Sequence, residues 1–176
     1  EVLRAAADGS IKLVSQSGSI TIAGGSDGQG VSASGSGDVL LEAAQDVTIN
    51  ADVLSGSGNI TLGAGNDLAV NSSVTTGGTG TVYLTSGNDT TIDSVLTTLS
   101  GDLLIDAGED LTQNAAITST AGDVGLIAGG SLDQASSGDI STGGDVLLEA
   151  GADWTMSSGT EITAAGSVDG HALSGD

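Results

Sequence analysis

Apolar and polar positions along this chain alternate with period two in short bursts, the pattern of brief strands and not of helices. Each burst opens with Gly, then a small polar residue, then an apolar–any–apolar triplet. It starts at Gly9, Gly37, Gly58, Gly80, Gly101, Gly122 and Gly144, and a degenerate copy starts at Gly166. The first step is 28 residues and the others are 21 or 22. The heptad GDVLLEA occurs at 37–43 and again, unchanged, at 144–150.

Counting from each Gly, position +2 is Val39, Ile60, Val82, Leu103, Val124 and Val146, and position +4 is Leu41, Leu62, Leu84, Ile105, Leu126 and Leu148. That is a strand with two side chains facing one way. Position +7 is Ala44, Gly65, Gly87, Gly108, Gly129 and Gly151, a turn that needs a small or left-handed residue. A second strand follows at +10 (Val47, Leu68, Thr90, Leu111, Leu132, Trp154) and +12 (Ile49, Val70, Ile92, Gln113, Gln134, Met156). A third carries Val53, Val74, Leu96 and Ile117, then Ile140 and Ile162 two places later.

Three short strands per coil, with like residues over like, predict an all-β fold: a parallel β-helix, or β-solenoid, of about seven coils of 21–22 residues. At about 4.8 Å per coil the rod would be roughly 30–35 Å long. A β-sandwich accommodates the strand count, but it does not require the same residue types at the same offsets seven times. The whole chain, 1–176, reads as one solenoid domain with a partial coil from 166. The surplus of the first coil is assigned to an insertion loop at about 23–36. The chain begins just before one coil and stops as another begins, which suggests an excerpt of a longer array or copies stacked end to end.

Composition narrows this reading. There is no Phe, one Tyr (Tyr83) and one Trp (Trp154), so the interior is thin and aliphatic. Thirty Gly without any Pro fits many turns around strands that need their N–H groups. Without Cys there is no disulfide or thiol chemistry. A formal net charge of -21, with Arg4 and Lys12 the only bases, excludes nucleic acid and anionic membrane as partners and attracts cations. No apolar run reaches membrane-spanning length, so no membrane insertion is expected. Glu1-Val2-Leu3-Arg4 lacks a signal-peptide pattern, which leaves a secreted, excised segment open.

Coils such as GDVLLEAGADWTMSSGTEITAAGS and GNITLGAGNDLAVNSSVTTGGTG resemble the repeat regions of large secreted bacterial exoproteins of the filamentous-haemagglutinin-like adhesin class. The resemblance covers residues 9–170. It implies a right-handed parallel β-helix, export to the bacterial cell surface, and a role as stalk or adhesin. The Asn-Pro motifs of that family's secretion domain are absent, so the resemblance is to repeat coils only.

Five columns are candidates for chemistry. Asp46, Asp67, Asp89, Asp110 and Asp153 stand at +9, broken by Ser131, beside a parallel column of Asp38, Asn59, Thr81, Asp102, Asp123 and Asp145 at +1. Carboxylates about 5 Å apart repel by roughly 1–3 kcal/mol per pair. They therefore need divergent side chains, backbone N–H partners or a cation such as calcium; LGAGNDLAV (62–70) looks like one nonapeptide of the calcium-binding repeat-in-toxin proteins. The simpler reading is that each Asp caps a turn through its own backbone. Asn50, Asn71, Asp93 and Asn114 at +13 form a candidate structural Asn stack. The outward residues of strand one include Leu40, Tyr83, Leu104 and Leu147, a candidate lateral interface. An outward Thr column, Thr48, Thr91, Thr112 and Thr155, is broken by Ala69 and Asp133 and is too narrow for an ice-binding array. Gln113 and Gln134 are placed to bond each other, and the lone His171 reads as a tail residue.

The expectation is a non-catalytic structural or adhesive segment of a secreted surface or filament protein. It would have no obligatory cofactor and would pair with copies of itself, adjacent coils, or a cell-surface or carbohydrate ligand. A polysaccharide-lyase-like enzyme and a calcium-loaded matrix repeat remain the alternatives. A lyase acting on acidic sugars needs a cationic base or charge stabiliser, and Arg4 and Lys12 both lie at the N-terminal end.

Overall fold

The computed structural model describes residues 3–24 and 28–174, all strand, turn and loop. The strands form three parallel sheets, and the chain visits each sheet once per coil. The first holds Ile11–Ser15, Val39–Ala43, Ile60–Ala64, Val82–Ser86, Leu103–Ala107, Val124–Ala128, Val146–Ala150 and Val168–Ala172. The second holds Ile20–Ala23, Val47–Asn50, Leu68–Val70, Thr90–Ile92, Leu111–Gln113, Leu132–Gln134 and Trp154–Met156. The third holds Leu3–Ala5, Gln29–Ala33, Asp52–Ser55, Val74–Thr76, Leu96–Thr98, Ile117–Ser119, Ile140–Thr142 and Ile162–Ala164. The molecule is a β-solenoid of about seven turns with about three strands per coil.

Equivalent residues lie directly over one another. Val39 pairs with Ile60, Ile60 with Val82, and Val82 with Leu103. The inward columns at +2, +4, +10 and +12 are buried through the middle coils and form one aliphatic core. Position +6 joins them as a small-residue column, with Ala43, Ala64, Ser86, Ala107, Ala128 and Ala150 all buried where the chain turns from the first sheet to the second. A bulkier side chain there would collide with the +10 residue around the corner.

The glycines at +7 have a different cause from the one expected. None has a positive φ; among the described residues the glycines that do are Gly28, Gly35, Gly78 and Gly159. Space decides instead: a Cβ on Gly87 would stand 2.1 Å from the carbonyl oxygen of Gly65 in the coil before. From Gly65 onward the corners stack backbone on backbone, and only glycine permits that approach, whereas the first corner of the column carries Ala44.

The first coil also departs from expectation. Part of the stretch 23–36 is not loop but the strand Gln29–Ala33, whose Val31 and Ala33 are buried in the third inward column. Eight residues separate the inward Ile22 from the inward Val31, against three between Ile49 and Val53, so the main insertion is confined to about 24–28. Residues 25–27 lie outside the described ones. The ladder absorbs the rest as a register shift between Gln29 and Val31, at Gly30, where a Cβ would lie 2.3 Å from Ile22 Cγ2. The two-residue drift of Ile140 is likewise taken up in a turn closed by Gly138 N–H donating to the Ala135 carbonyl, and Ile140 stacks on Ile117.

Candidate functional site: corner ladders and the outer face of the first sheet

The residue before each strand sits at a corner. Its carbonyl accepts the N–H of the strand residue in the preceding coil, as Asp67 does from Val47 and Asp89 from Leu68. Its own N–H, pointing back along the axis, meets a side chain. Asp67 N–H donates to Asp46 Oδ1 at 3.5 Å, Asp89 to Asp67 at 3.4 Å, Asp110 to Asp89 at 3.1 Å and Ser131 to Asp110 at 2.7 Å. Each carboxylate therefore caps the backbone of the next coil, not its own turn. That is a correction to the sequence reading, and its reason is that the stacking direction brings the neighbouring coil's N–H closer than any local one. Asp153 continues the column on the last turn, its carbonyl accepting the N–H of Leu132.

The +1 column works the same way. Asn59 N–H donates to Asp38 at 2.8 Å, Thr81 to Asn59 at 3.0 Å, Asp123 to Asp102 at 2.9 Å, Asp145 to Asp123 at 2.8 Å and Ser167 to Asp145 at 2.6 Å. A third corner, before the third sheet, was not read from the sequence: Ser73 N–H donates to Asp52 at 3.2 Å and Glu161 to Asp139 at 2.8 Å. Its positions 95 and 116 are Val and Ala, and its offset drifts by two, which hides the column. A hydrogen bond from the Ser72 hydroxyl, at 2.6 Å, is the main cause that holds the Asp52 carboxyl below its usual range; partial burial opposes it and the Ser73 hydroxyl and N–H add to it. Among the described residues no three or more His, Asp or Glu side chains gather as a metal cage requires.

The Asn stack is two separate pairs. Asn71 Nδ2 donates to Asn50 Oδ1 at 2.8 Å, and Asn114 Nδ2 to Asp93 Oδ1 at 2.7 Å. Gln134 Nε2 donates to Gln113 Oε1 at 2.8 Å inside the core, as the spacing suggests. Two further contacts complete that chain: Trp154 Nε1 donates to Gln134 Oε1 at 3.0 Å, and Gln113 Nε2 to the Ala115 carbonyl at 3.1 Å. A buried hydroxyl column, Ser55, Thr76, Thr98, Ser119 and Thr142, hydrogen-bonds corner glycine carbonyls from within. In the sequence these hydroxyls pass for ordinary strand residues.

On the outer face of the first sheet the register aligns Lys12, Leu40, Thr61, Tyr83, Leu104, Gly125, Leu147 and Asp169 in one column. Leu40, Tyr83 and Leu104 are half-buried by their neighbours, and Leu147 is 37% exposed. All four residues expected at a lateral interface thus share one line. His171 is no tail residue: it lies in the last strand of this sheet, beside Glu149, and its Nε2 is 3.0 Å from Asp169 Oδ1. The broken Thr column, Thr48, Thr91, Thr112 and Thr155, stands on the second sheet. The third sheet adds an outward hydroxyl column, Thr75, Thr97, Thr118, Ser141 and Thr163, that the sequence reading missed.

The fold and its ladders define the class: a parallel β-solenoid repeat protein. No protein-family model matches the sequence, and neither a curated protein nor a solved structure matches the chain.

Proposed function

We propose that this chain is a non-catalytic, rod-forming segment of a secreted cell-surface or extracellular filament protein of the filamentous-haemagglutinin-like kind, serving as stalk or adhesin. The observation that carries this reading is continuity. Each of the three sheets runs unbroken along the rod, with equivalent residues in register at every step except the shift at Gly30 in the first coil. Such a rod presents repeated surface columns instead of one converging site, and it gains binding strength by repetition along its length. Its partners are further coils of the same kind and a cell-surface or carbohydrate ligand.

Beads coated with the protein test the reading. They are expected to adhere to cells or glycan-coated surfaces above uncoated beads, while incubation with acidic polysaccharides yields no unsaturated product. Release of unsaturated sugars would overturn the structural reading in favour of a lyase, and absence of adhesion on every surface would remove the adhesive role.

A further inference from the structure

The apolar line on the outer face of the first sheet is interrupted at Thr61 and again at Gly125. Gly125 sits between Leu104 and Leu147, and its missing side chain leaves a shallow depression of about 470 Å³. Leu104, Gly125 and Leu147 form its floor, and Asp102, Asp123 and Asp145 form one wall. Those three carboxylates are exposed, and each spends one oxygen on the next coil's N–H. Asp106 and Glu149 lie two residues further along their strands and so on the same outer face.

Charge selects the occupant. A second copy laid face to face would oppose these carboxylates with its own, on molecules of formal charge -21, and like-charge apposition costs several kcal/mol at an interface. An anionic glycan meets the same repulsion. Lys and Arg side chains combine an aliphatic stem with a cationic head, which matches an apolar floor under an acidic wall. Tyr83, one rung from Leu104, adds a ring against which a guanidinium can stack. We propose that this depression docks a basic segment of a partner protein, with Lys or Arg stems laid across Leu104, Gly125 and Leu147 and their charged heads set on Asp102, Asp123 and Asp145. In naming the partner's chemistry the proposal rests on the adhesive reading of the rod.

The native ladder supplies a clean variant. Asn59 already accepts the Thr81 N–H at 3.0 Å in this column, so Asp→Asn removes charge and keeps the acceptor. A fluorescein-labelled octapeptide of alternating Lys and Val, followed by fluorescence anisotropy at about 0.15 M ionic strength, is the probe. The triple variant Asp102→Asn, Asp123→Asn, Asp145→Asn is expected to weaken binding about tenfold or more. Asp67→Asn, Asp89→Asn, Asp110→Asn takes the same charge from another corner and is expected to change it less than about threefold. Gly125→Leu fills the depression; its Cβ would meet Leu104 Cδ1 at 2.8 Å, the movable end of a side chain, and binding is expected to fall as in the first triple variant. Should that variant not fold, Gly125→Ala narrows the same space. Equal loss in both triple variants, native affinity in the filled variant, equal binding of a Glu–Val peptide, or no binding of the Lys–Val peptide would each overturn the proposal. Loss of peptide binding with bead adhesion intact refutes this site alone, whereas loss of adhesion with peptide binding intact refutes the adhesive reading alone.

Discussion

At Asp123 a side chain does the work of a backbone carbonyl. The N–H of Asp145 points back along the axis at a corner where the ladder offers no carbonyl, and Oδ1 stands in for it at 2.8 Å. Only a short oxygen-bearing side chain reaches that spot: Asp and Asn fill most of the column, the Ser10 hydroxyl takes the Asp38 N–H at 3.0 Å, and Glu is absent from it. Asp123→Asn should therefore leave urea unfolding nearly unchanged, whereas Asp123→Ala should cost about 1 kcal/mol, the usual worth of a side chain capping a backbone N–H. Asp52 gives the pH-dependent case. Its carboxyl is held below the ordinary value of 3.8, chiefly by Ser72, so the unfolded chain binds this proton more tightly than the folded one. The stabilisation is complete above the unfolded value and disappears as pH falls through the folded one. Asp52→Asn removes the titration, so the stability gap between native and variant protein should shrink when the urea midpoints are compared at neutral pH and below about pH 4. The Asp positions at two corners were legible because they recur at fixed offsets. Their partners were not, because the N–H each one caps lies 21 or 22 residues away.

Strands of three to five residues cannot hold themselves together, and each depends on what stacks above and below it. The second sheet shows how polar residues survive inside such a stack. Gln113 and Gln134 are buried in an otherwise apolar column because amide follows amide, from the Trp154 indole to the Ala115 carbonyl. Gln134→Leu would leave Gln113 Oε1 unpaired in the core, at a cost of about 1–3 kcal/mol, and would take from the half-buried Trp154 Nε1 its side-chain acceptor. Pairing it with Gln113→Leu should return part of that loss, and the single Trp reports the transition by its fluorescence. Ser86 and Thr90 form a second buried pair, bonded at 2.8 Å across the corner between the first and second sheets. The mutual bond of the two Gln residues was readable from their adjacent offsets. The indole was not, since it approaches from a different column, and the strand Gln29–Ala33 was hidden by the glycines and serines around its inward Val31 and Ala33.

Along the rod, coils are near-equivalent units joined through their neighbours, so stability is approximately a sum over repeats and their interfaces. Excising Gly80–Ser100 removes one complete turn, takes out both Ser86 and Thr90, and sets the coil of Gly58 against that of Gly101 with Asn59 facing the Asp102 N–H. The shortened protein should fold, melt cooperatively at a modestly lower temperature, and scatter as a rod shorter by about 4.8 Å. Removing only Gly80–Asp89 should abolish folding, because it leaves the following strands out of phase with their sheets. The formal charge of -21 is spread over the whole length. Added salt should therefore raise the melting temperature by screening repulsion that no single carboxylate accounts for.

By itself the sequence determined the period, the inward columns and the class of fold. Alternation and small turn residues are local signals, and seven repetitions leave one way to bury every apolar face at once. Tertiary structure decided which N–H each corner carboxylate meets and where the long first coil rejoins the stack. It also decided that glycine is required at +7 by a neighbouring carbonyl and not by φ, and that Gly125 opens a depression beside three carboxylates. Those features arise between coils, from residues some twenty positions apart brought within hydrogen-bonding or van der Waals distance, and no local pattern encodes the distance between two turns of a stack.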